Sequence, residues 1–133
     1  MPANILVIED NPANMELVRY ILTHRGHTVL MAVNGQEGLA VAQSTPPALI
    51  VCDLQMPVLD GYQTLTALRA DPRTAAIPVV AVTAFSMPHD RERVITAGFD
   101  GYLSKPIEPE LFVGQIEAYL PAALRGPAGH PAS

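Results

Sequence analysis

Five residue positions in this chain could do chemistry together, because each stands just beyond a short apolar run. Glu9 and Asp10 follow Ile5-Leu-Val-Ile8, Asp53 follows Ala48-Leu-Ile-Val-Cys52, Thr83 follows Pro78-Val-Val-Ala-Val82, and Lys105 comes shortly after a fifth run ending at Leu103. Lys105 is the chain's single lysine. If the runs are strands of one sheet, three carboxylates, a hydroxyl and an ammonium meet at one edge. Carboxylates that close together do not all stay ionised without a cation. Mg²⁺ suits such a set, since it takes one or two carboxylates, several waters and a substrate phosphate. The chemistry this suggests is phosphoryl transfer: a carboxylate attacks and forms an acyl phosphate, while cations neutralise the transferring group. A hydroxyl such as that of Thr83 then donates to a phosphoryl oxygen. Hydrolysis by a Ser–His or Cys–His pair does not fit, because no histidine stands at any of these run ends. Neither GxxxxGK[ST] nor a GxGxxG after the first run is present, so no phosphate-cradling loop is expected.

The elements that must hold these residues are legible from hydrophobic spacing. Ile5–Ile8 reads as a buried strand, followed by Asn11-Pro12 as N-cap and first residue of a helix carrying Met15, Val18, Ile21 and Leu22. Gly26 ends that helix. A second strand covers 28–32, a weaker helix 35–44 stops before Pro46-Pro47, and the third strand covers 48–52. Asp60-Gly61 caps a helix with Leu65 and Leu68 that Asp71-Pro72 closes. A fourth strand at 78–82 precedes a helix at 88–97 ended by Gly98, and a fifth strand spans 100–103. Glu108-Pro109-Glu110 opens a last helix carrying Leu111, Phe112, Ile116, Tyr119 and Leu120. Strands apolar on both faces are covered on both sides, as in parallel sheets. Right-handed crossovers then give an α/β fold: a doubly wound, five-stranded parallel sheet with five helices, a flavodoxin-like three-layer sandwich. Ligands in such sheets bind outside the carboxyl ends of the strands, where the five positions lie.

Composition bounds the rest. With 133 residues the chain is one domain, expected over 3–120, with 121–133 as a Pro/Gly-rich C-terminal tail. Its 49% apolar and 16% charged residues argue against disorder. A single cysteine rules out an internal disulfide and multi-Cys zinc sites. A net charge of −5 argues against nucleic-acid binding. The apolar runs are too short for membrane insertion, and no secretory signal opens the chain, so a cytoplasmic protein is expected.

The motifs together resemble the receiver domain of the two-component response-regulator family, the chemotaxis-regulator-like fold. The matching segments are Ile5-Leu-Val-Ile-Glu-Asp-Asn11, Val51-Cys-Asp-Leu-Gln-Met-Pro57 with Asp60-Gly61, Val80-Ala-Val-Thr-Ala84 and Tyr102-Leu-Ser-Lys-Pro106. They occur in order and cover about residues 3–120, with wording nearest to single-domain regulators and the receivers of hybrid kinases. The resemblance implies that Asp53 is the phosphoacceptor, with Lys105 and Thr83 acting on the phosphoryl group. It implies Mg²⁺ as cofactor, held by Asp10, Asp53 and the backbone carbonyl of Gln55, with Glu9 acting through a bound water. It implies Thr83 and Tyr102 as switch residues and a cis bond before Pro106. The implied partners are a histidine kinase or histidine phosphotransfer protein, and a downstream protein target that reads the face formed by the fourth helix, fifth strand and fifth helix. Gln55 and Phe85 are expected to influence how long the phosphoryl group survives. Apart from its own phosphorylation and dephosphorylation, the domain is not expected to be an enzyme.

Three other functions fit the sequence less well. A pseudo-receiver that docks partners constitutively would usually lack an acidic residue or the lysine, and all are present. An aspartyl-nucleophile phosphohydrolase of the dehalogenase type wants Asp-x-Asp, whereas Asp53-Leu-Gln55 lacks the second Asp. A flavodoxin-like cofactor site is opposed by the Glu9-Asp10 loop, which repels a flavin phosphate. Without an effector domain after residue 120, the chain is expected to act through protein partners, as a free-standing regulator or a relay intermediate; Met1 directly before the first strand reads as a natural start. Cys52 is expected in the core. His24 and His27 are expected in solvent or at a helix C-terminus, and Arg91, Glu92 and Arg93 on a solvated helix face. Met31, Met56 and Met87 are expected as packing or loop residues.

Overall fold

A computed structural model describes residues 3–55, 59–84 and 88–120. The strands are β1 (Asn4–Ile8), β2 (Thr28–Ala32), β3 (Leu49–Asp53), β4 (Val79–Thr83) and β5 (Gly101–Ser104). The helices are α1 (Pro12–His24), α2 (Gly35–Ser44), α3 (Gly61–Ala70), α4 (Pro88–Ala97) and α5 (Pro109–Glu117). All pairings are parallel, in the order β2-β1-β3-β4-β5. The order reverses between β1 and β3, so the carboxyl ends of these two strands flank the crevice at the switch point.

Successive strand residues feed opposite faces of the sheet. Ile5, Val7, Leu49, Val51, Val80 and Val82 pack with Met15, Val18, Ile21 and Leu22 of α1 and with Phe112 and Ile116 of α5. Leu6, Ile8, Ile50, Cys52, Val79 and Ala81 pack on the other face with Ala42 of α2, Leu65 and Leu68 of α3 and Val94 of α4. Cys52 is buried, as its place in the third strand implied.

Local signals set the helix ends. The Asn11 side chain accepts from the N–H groups of Ala13 and Asn14, and Pro12 starts α1. Asp60 and Gln63 form a reciprocal capping box on α3. Gly26 closes α1 with φ of 88°, which L side chains rarely adopt. The strand bounds of β1, β3, β4 and β5 differ from expectation by a residue. β3 includes Asp53 and β4 includes Thr83, because Asp53 pairs in register with Val82 and Thr83 with Ser104. β5 starts at Gly101 because the Asp100 carboxylate instead accepts from Val79 N–H at 2.8 Å and Arg69 at 2.8 Å. α5 ends at Glu117, and Tyr119 and Leu120 continue in a tighter turn, bonding back three residues to Ile116 and Glu117.

The amino-terminal ends of the strands are closed by two paired clusters. Arg69 donates to the carbonyls of Ala75, Ile77 and Gly98 as well as to Asp100. Glu117 accepts from Arg25 at 2.6 Å and meets His27 Nε2 at 2.8 Å. His27 Nδ1 accepts from Ala3 N–H at 3.2 Å, which leaves Nε2 as the protonated nitrogen that donates to Glu117. This corrects the expectation for His27, which is buried rather than in solvent; the reason is a partner ninety residues away. His24 is exposed, and its Nδ1 lies 3.2 Å from the Tyr20 carbonyl in the last turn of α1. The expectations for Met56, Met87, Phe85 and the tail at 121–133 fall outside the described residues; Met31 is exposed on β2.

Candidate functional site

The crevice at the switch point is acidic. Glu9, directly after β1, is 4% exposed, and Asp53, the last residue of β3, is 5% exposed, while Asp10 is open to solvent. One ligand atom from each of Glu9, Asp10 and Asp53 lies within 4.8 Å of the others. Lys105 reaches in from beyond β5, with Nζ 3.0 Å from Asp53 Oδ2 and 3.3 Å from Glu9 Oε1. The peptide bond between Lys105 and Pro106 is cis. Lys105 N–H donates to the carbonyl of Thr83 at 2.8 Å, which fixes the lysine backbone to the end of β4.

Backbone donors complete the setting of the carboxylates. Gln55 N–H donates to Asp53 Oδ1 at 3.1 Å, and Asn11 N–H donates to Glu9 Oε2 at 3.2 Å. Asn11 therefore does two things, capping α1 with its side chain and holding Glu9 with its backbone. Only the cap was legible in the sequence. Gly61 lies beneath this loop: a Cβ there would come 2.8 Å from Leu54 Cα and 3.0 Å from the Asp53 carbonyl oxygen. Asp60-Gly61 is thus a cap followed by a close-approach glycine, and only the first role shows in the sequence.

The electrostatics follow from burial. The Glu9 carboxyl is pushed up to about 7 by burial first, then by its hydrogen bond to the Asp53 side chain and the charge of Asp53, against the opposing pull of Asn11 N–H and Lys105. Burial works against the Lys105 ammonium, but Asp53 and Glu9 outweigh it and hold its pKa above the ordinary value. Once Glu9 gives up its proton, three carboxylates against one ammonium leave two negative charges over, which matches a divalent cation. The donors are all hard oxygens, the type Mg²⁺ prefers. The acidic group is therefore able to hold such an ion, with Glu9, Asp10 and Asp53 as the available carboxylates.

The other expected residues stand around this centre. Thr83 is buried at the end of β4, one position beyond Val82, the cross-strand partner of Asp53. Tyr102 lies half-buried on β5, paired with Ala81 and packed against the cluster beneath α2, α3 and α4. Of the charged run on α4, Arg93 does more than meet solvent: its guanidinium lies 4.7 Å from the centroid of the Tyr62 ring. No lone sequence signal pointed to that pair, since the two residues lie on different helices.

A doubly wound parallel sheet with an acidic crevice at its switch point defines an α/β domain with a candidate cation site at its strand ends. The model of the response regulator receiver domain matches residues 5–117, and the chain belongs to that family. The polar-differentiation response regulator DivK of Brucella anthropi is 38% identical over 120 residues, spanning 90% of this chain and 98% of that protein. Among solved structures, the chemotaxis response regulator CheY4 of Vibrio cholerae is 28% identical with a TM-score of 0.85, covering 90% of this chain and all of that one. The receiver domain of the sensor histidine kinase PA1611 of Pseudomonas aeruginosa, solved with a magnesium ion coordinated in its active site cleft, is 29% identical with a TM-score of 0.82, covering 90% and 98%. The chain is a receiver of two-component, phosphorelay signalling, a signalling rather than a metabolic domain. Among the described residues no helix is long and apolar enough to cross a membrane.

Proposed function

We propose that the chain is a phosphorylation-driven binding switch with Asp53 as its phosphoacceptor. The observation that carries this is the meeting of Asp53 with the only lysine and two further carboxylates at the switch-point crevice. The donor is phosphohistidine on a histidine kinase or phosphotransfer protein. An Asp53 carboxylate oxygen attacks phosphorus, the phosphorus–nitrogen bond breaks, and the histidine leaves with its electron pair and takes up a proton. Asp10, Asp53, the Gln55 backbone carbonyl and, through a water, Glu9 would hold Mg²⁺. When bound, Mg²⁺ supplies charge neutralisation for the phosphoryl oxygens.

Lys105 keeps its ammonium beside the acceptor oxygen and neutralises a phosphoryl oxygen there. The acyl phosphate adds nearly two negative charges. Thr83 donates its hydroxyl to the new phosphoryl group, and Tyr102 turns inward behind it. The face of α4, β5 and α5 is thereby remodelled, and a downstream protein target reads it. This is a population shift whose size is set by how differently the phosphoryl group stabilises the two arrangements. Turnover is limited to the domain's own phosphorylation and dephosphorylation. Residues 3–120 act as the receiver unit, and the cytoplasm is the compartment that supplies such donors.

Intact mass after incubation with a small phosphodonor tests the proposal. A single base-labile phosphoryl adduct, dependent on Mg²⁺ and absent in Asp53→Asn, is the expected result. If neither a small donor nor a cognate kinase or phosphotransfer protein labels Asp53, the mechanism is wrong and the domain is a constitutive docking module.

A further inference from the structure

Among the described residues of α4, Val94 is the only buried side chain, against four in α1. Among the described residues, one aromatic ring adds to what holds α4 in place. Arg93 stacks over the Tyr62 ring at 4.7 Å. Phe99, buried just beyond the helix, meets the same ring edge-on at 5.8 Å and 83°. Tyr62 is therefore gripped from the body of α4 and from the turn that follows it.

Tyr62 is also tied to the site. It is the second residue of α3, directly after Gly61, where a Cβ would meet Leu54 Cα, Leu54 Cδ2 and the Asp53 carbonyl oxygen and whose N–H donates to the Leu54 carbonyl at 3.1 Å. Backbone of Asp53 and Leu54, as well as the Leu54 side chain, stands against Gly61, so a displacement of the Asp53–Leu54 backbone is passed to the first turn of α3. A cavity of about 190 Å³, lined by Gln55, Asp60, Tyr62, Asp90 and Arg93, separates α3 from α4 and leaves the helix room to swing. The far end of α4 is fixed: Gly98 has φ of 110°, and its carbonyl accepts from Arg69 at 3.3 Å.

We propose that Tyr62 and Arg93 are positioning residues that latch α4 in the arrangement seen here and couple it to the backbone of Asp53. The latch is a second route from the acceptor to the partner-facing helix, separate from Thr83 and Tyr102, and it makes α4 turn about Gly98 rather than slide. The coupling rests on Asp53 being the phosphoacceptor; the latch itself does not. A coupling route needs an element with two arrangements that both sites bias, and α4, weakly held along its body and pinned at one end, is such an element.

Two readouts test this. The first is hydrogen exchange of α4 amides without any phosphodonor. Arg93→Gln and Tyr62→Leu should speed it by roughly two- to fivefold, the range an exposed cation–aromatic contact supports, and leave α1 amides unchanged. Arg93→Lys and Tyr62→Phe, which keep a cation and a ring, should stay close to the parent. The second is an NMR titration with beryllofluoride, a phosphoryl analogue, in the presence of Mg²⁺. Arg93→Gln should bind it more tightly by the same factor, because coupling free energy is reciprocal. Unchanged α4 exchange in Arg93→Gln, or equal acceleration in α1, would overturn the latch. Faster α4 exchange with unchanged beryllofluoride affinity would overturn the coupling to Asp53. Failure of the parent protein to bind beryllofluoride would overturn the phosphoacceptor assignment and the coupling with it, while exchange still decides the latch.

Discussion

Glu117 and Glu9 are the same residue type, and both are buried, at 3% and 4% exposed, at opposite ends of the sheet. Burial pushes each carboxyl up. At Glu117, hydrogen bonds from Arg25 and His27 and the charge of Arg25 outweigh burial, and the pKa lies below the ordinary value. At Glu9 the nearest carboxylate is Asp53, Lys105 is shared between the two, and the pKa rises to about 7. One end of the molecule uses buried charge to close the fold, with each charge neutralised. The other leaves buried negative charge only partly neutralised and so keeps an affinity for cations. In this domain the direction of the shift separates a carboxylate paired with cations from one crowded by a second carboxylate.

The sharpest way to break that contrast is at Glu117. Glu117→Gln leaves Arg25 without its partner and should cost about 3 kcal/mol of stability, read from the urea midpoint. The sign at acid pH follows. A lowered folded-state pKa gives stability that is present above the ordinary carboxylate value and lost as pH falls through the folded value, so the variant should show a flatter acid limb. A loss under about 0.5 kcal/mol would mean the base pole is not held by charge pairing. Arg69→Met should come next, at about 2 kcal/mol, since it strips donors from three carbonyls and Asp100.

At the other pole the sign reverses. Between about 4.5 and 7 the folded protein keeps a proton on Glu9 that the unfolded chain releases, so this group lowers stability as pH rises through that window. Glu9→Gln should therefore stabilise the metal-free protein by about 1 kcal/mol at pH 8 and do nothing at pH 4, by thermal or chemical melts. Destabilisation at pH 8 would contradict the contrast. The smallest expected effect is on the melting temperature with added Mg²⁺. Its rise should be roughly 2 °C larger at pH 8 than at pH 5.5, because the cation competes with the Glu9 proton, and the difference should vanish in Glu9→Gln.

Much of this was legible in the sequence, for physical reasons. Periodicity and caps such as Asn11-Pro12 and Asp60 are local, and they placed every element within about a residue except the end of α5. The site residues were legible because a parallel sheet brings strand ends together, so position along the chain implied proximity. What stayed hidden depends on pairs brought together by the fold. His27 reads as a surface residue until Glu117 is seen beside it, and Arg93 as one charge among several until Tyr62 lies under it. The double role of Asn11 was hidden because a backbone N–H carries no sequence signal.

Lys105 holds the chain's one side-chain amine, only 20% exposed and bonded to the Asp53 carboxylate. Reagents that couple to lysine amines therefore have a single side-chain target, and it lies in the acidic crevice. Immobilising or cross-linking the protein through amines strikes the site itself, whereas the rate of mild acylation at Lys105 becomes a footprint of whatever occupies the crevice.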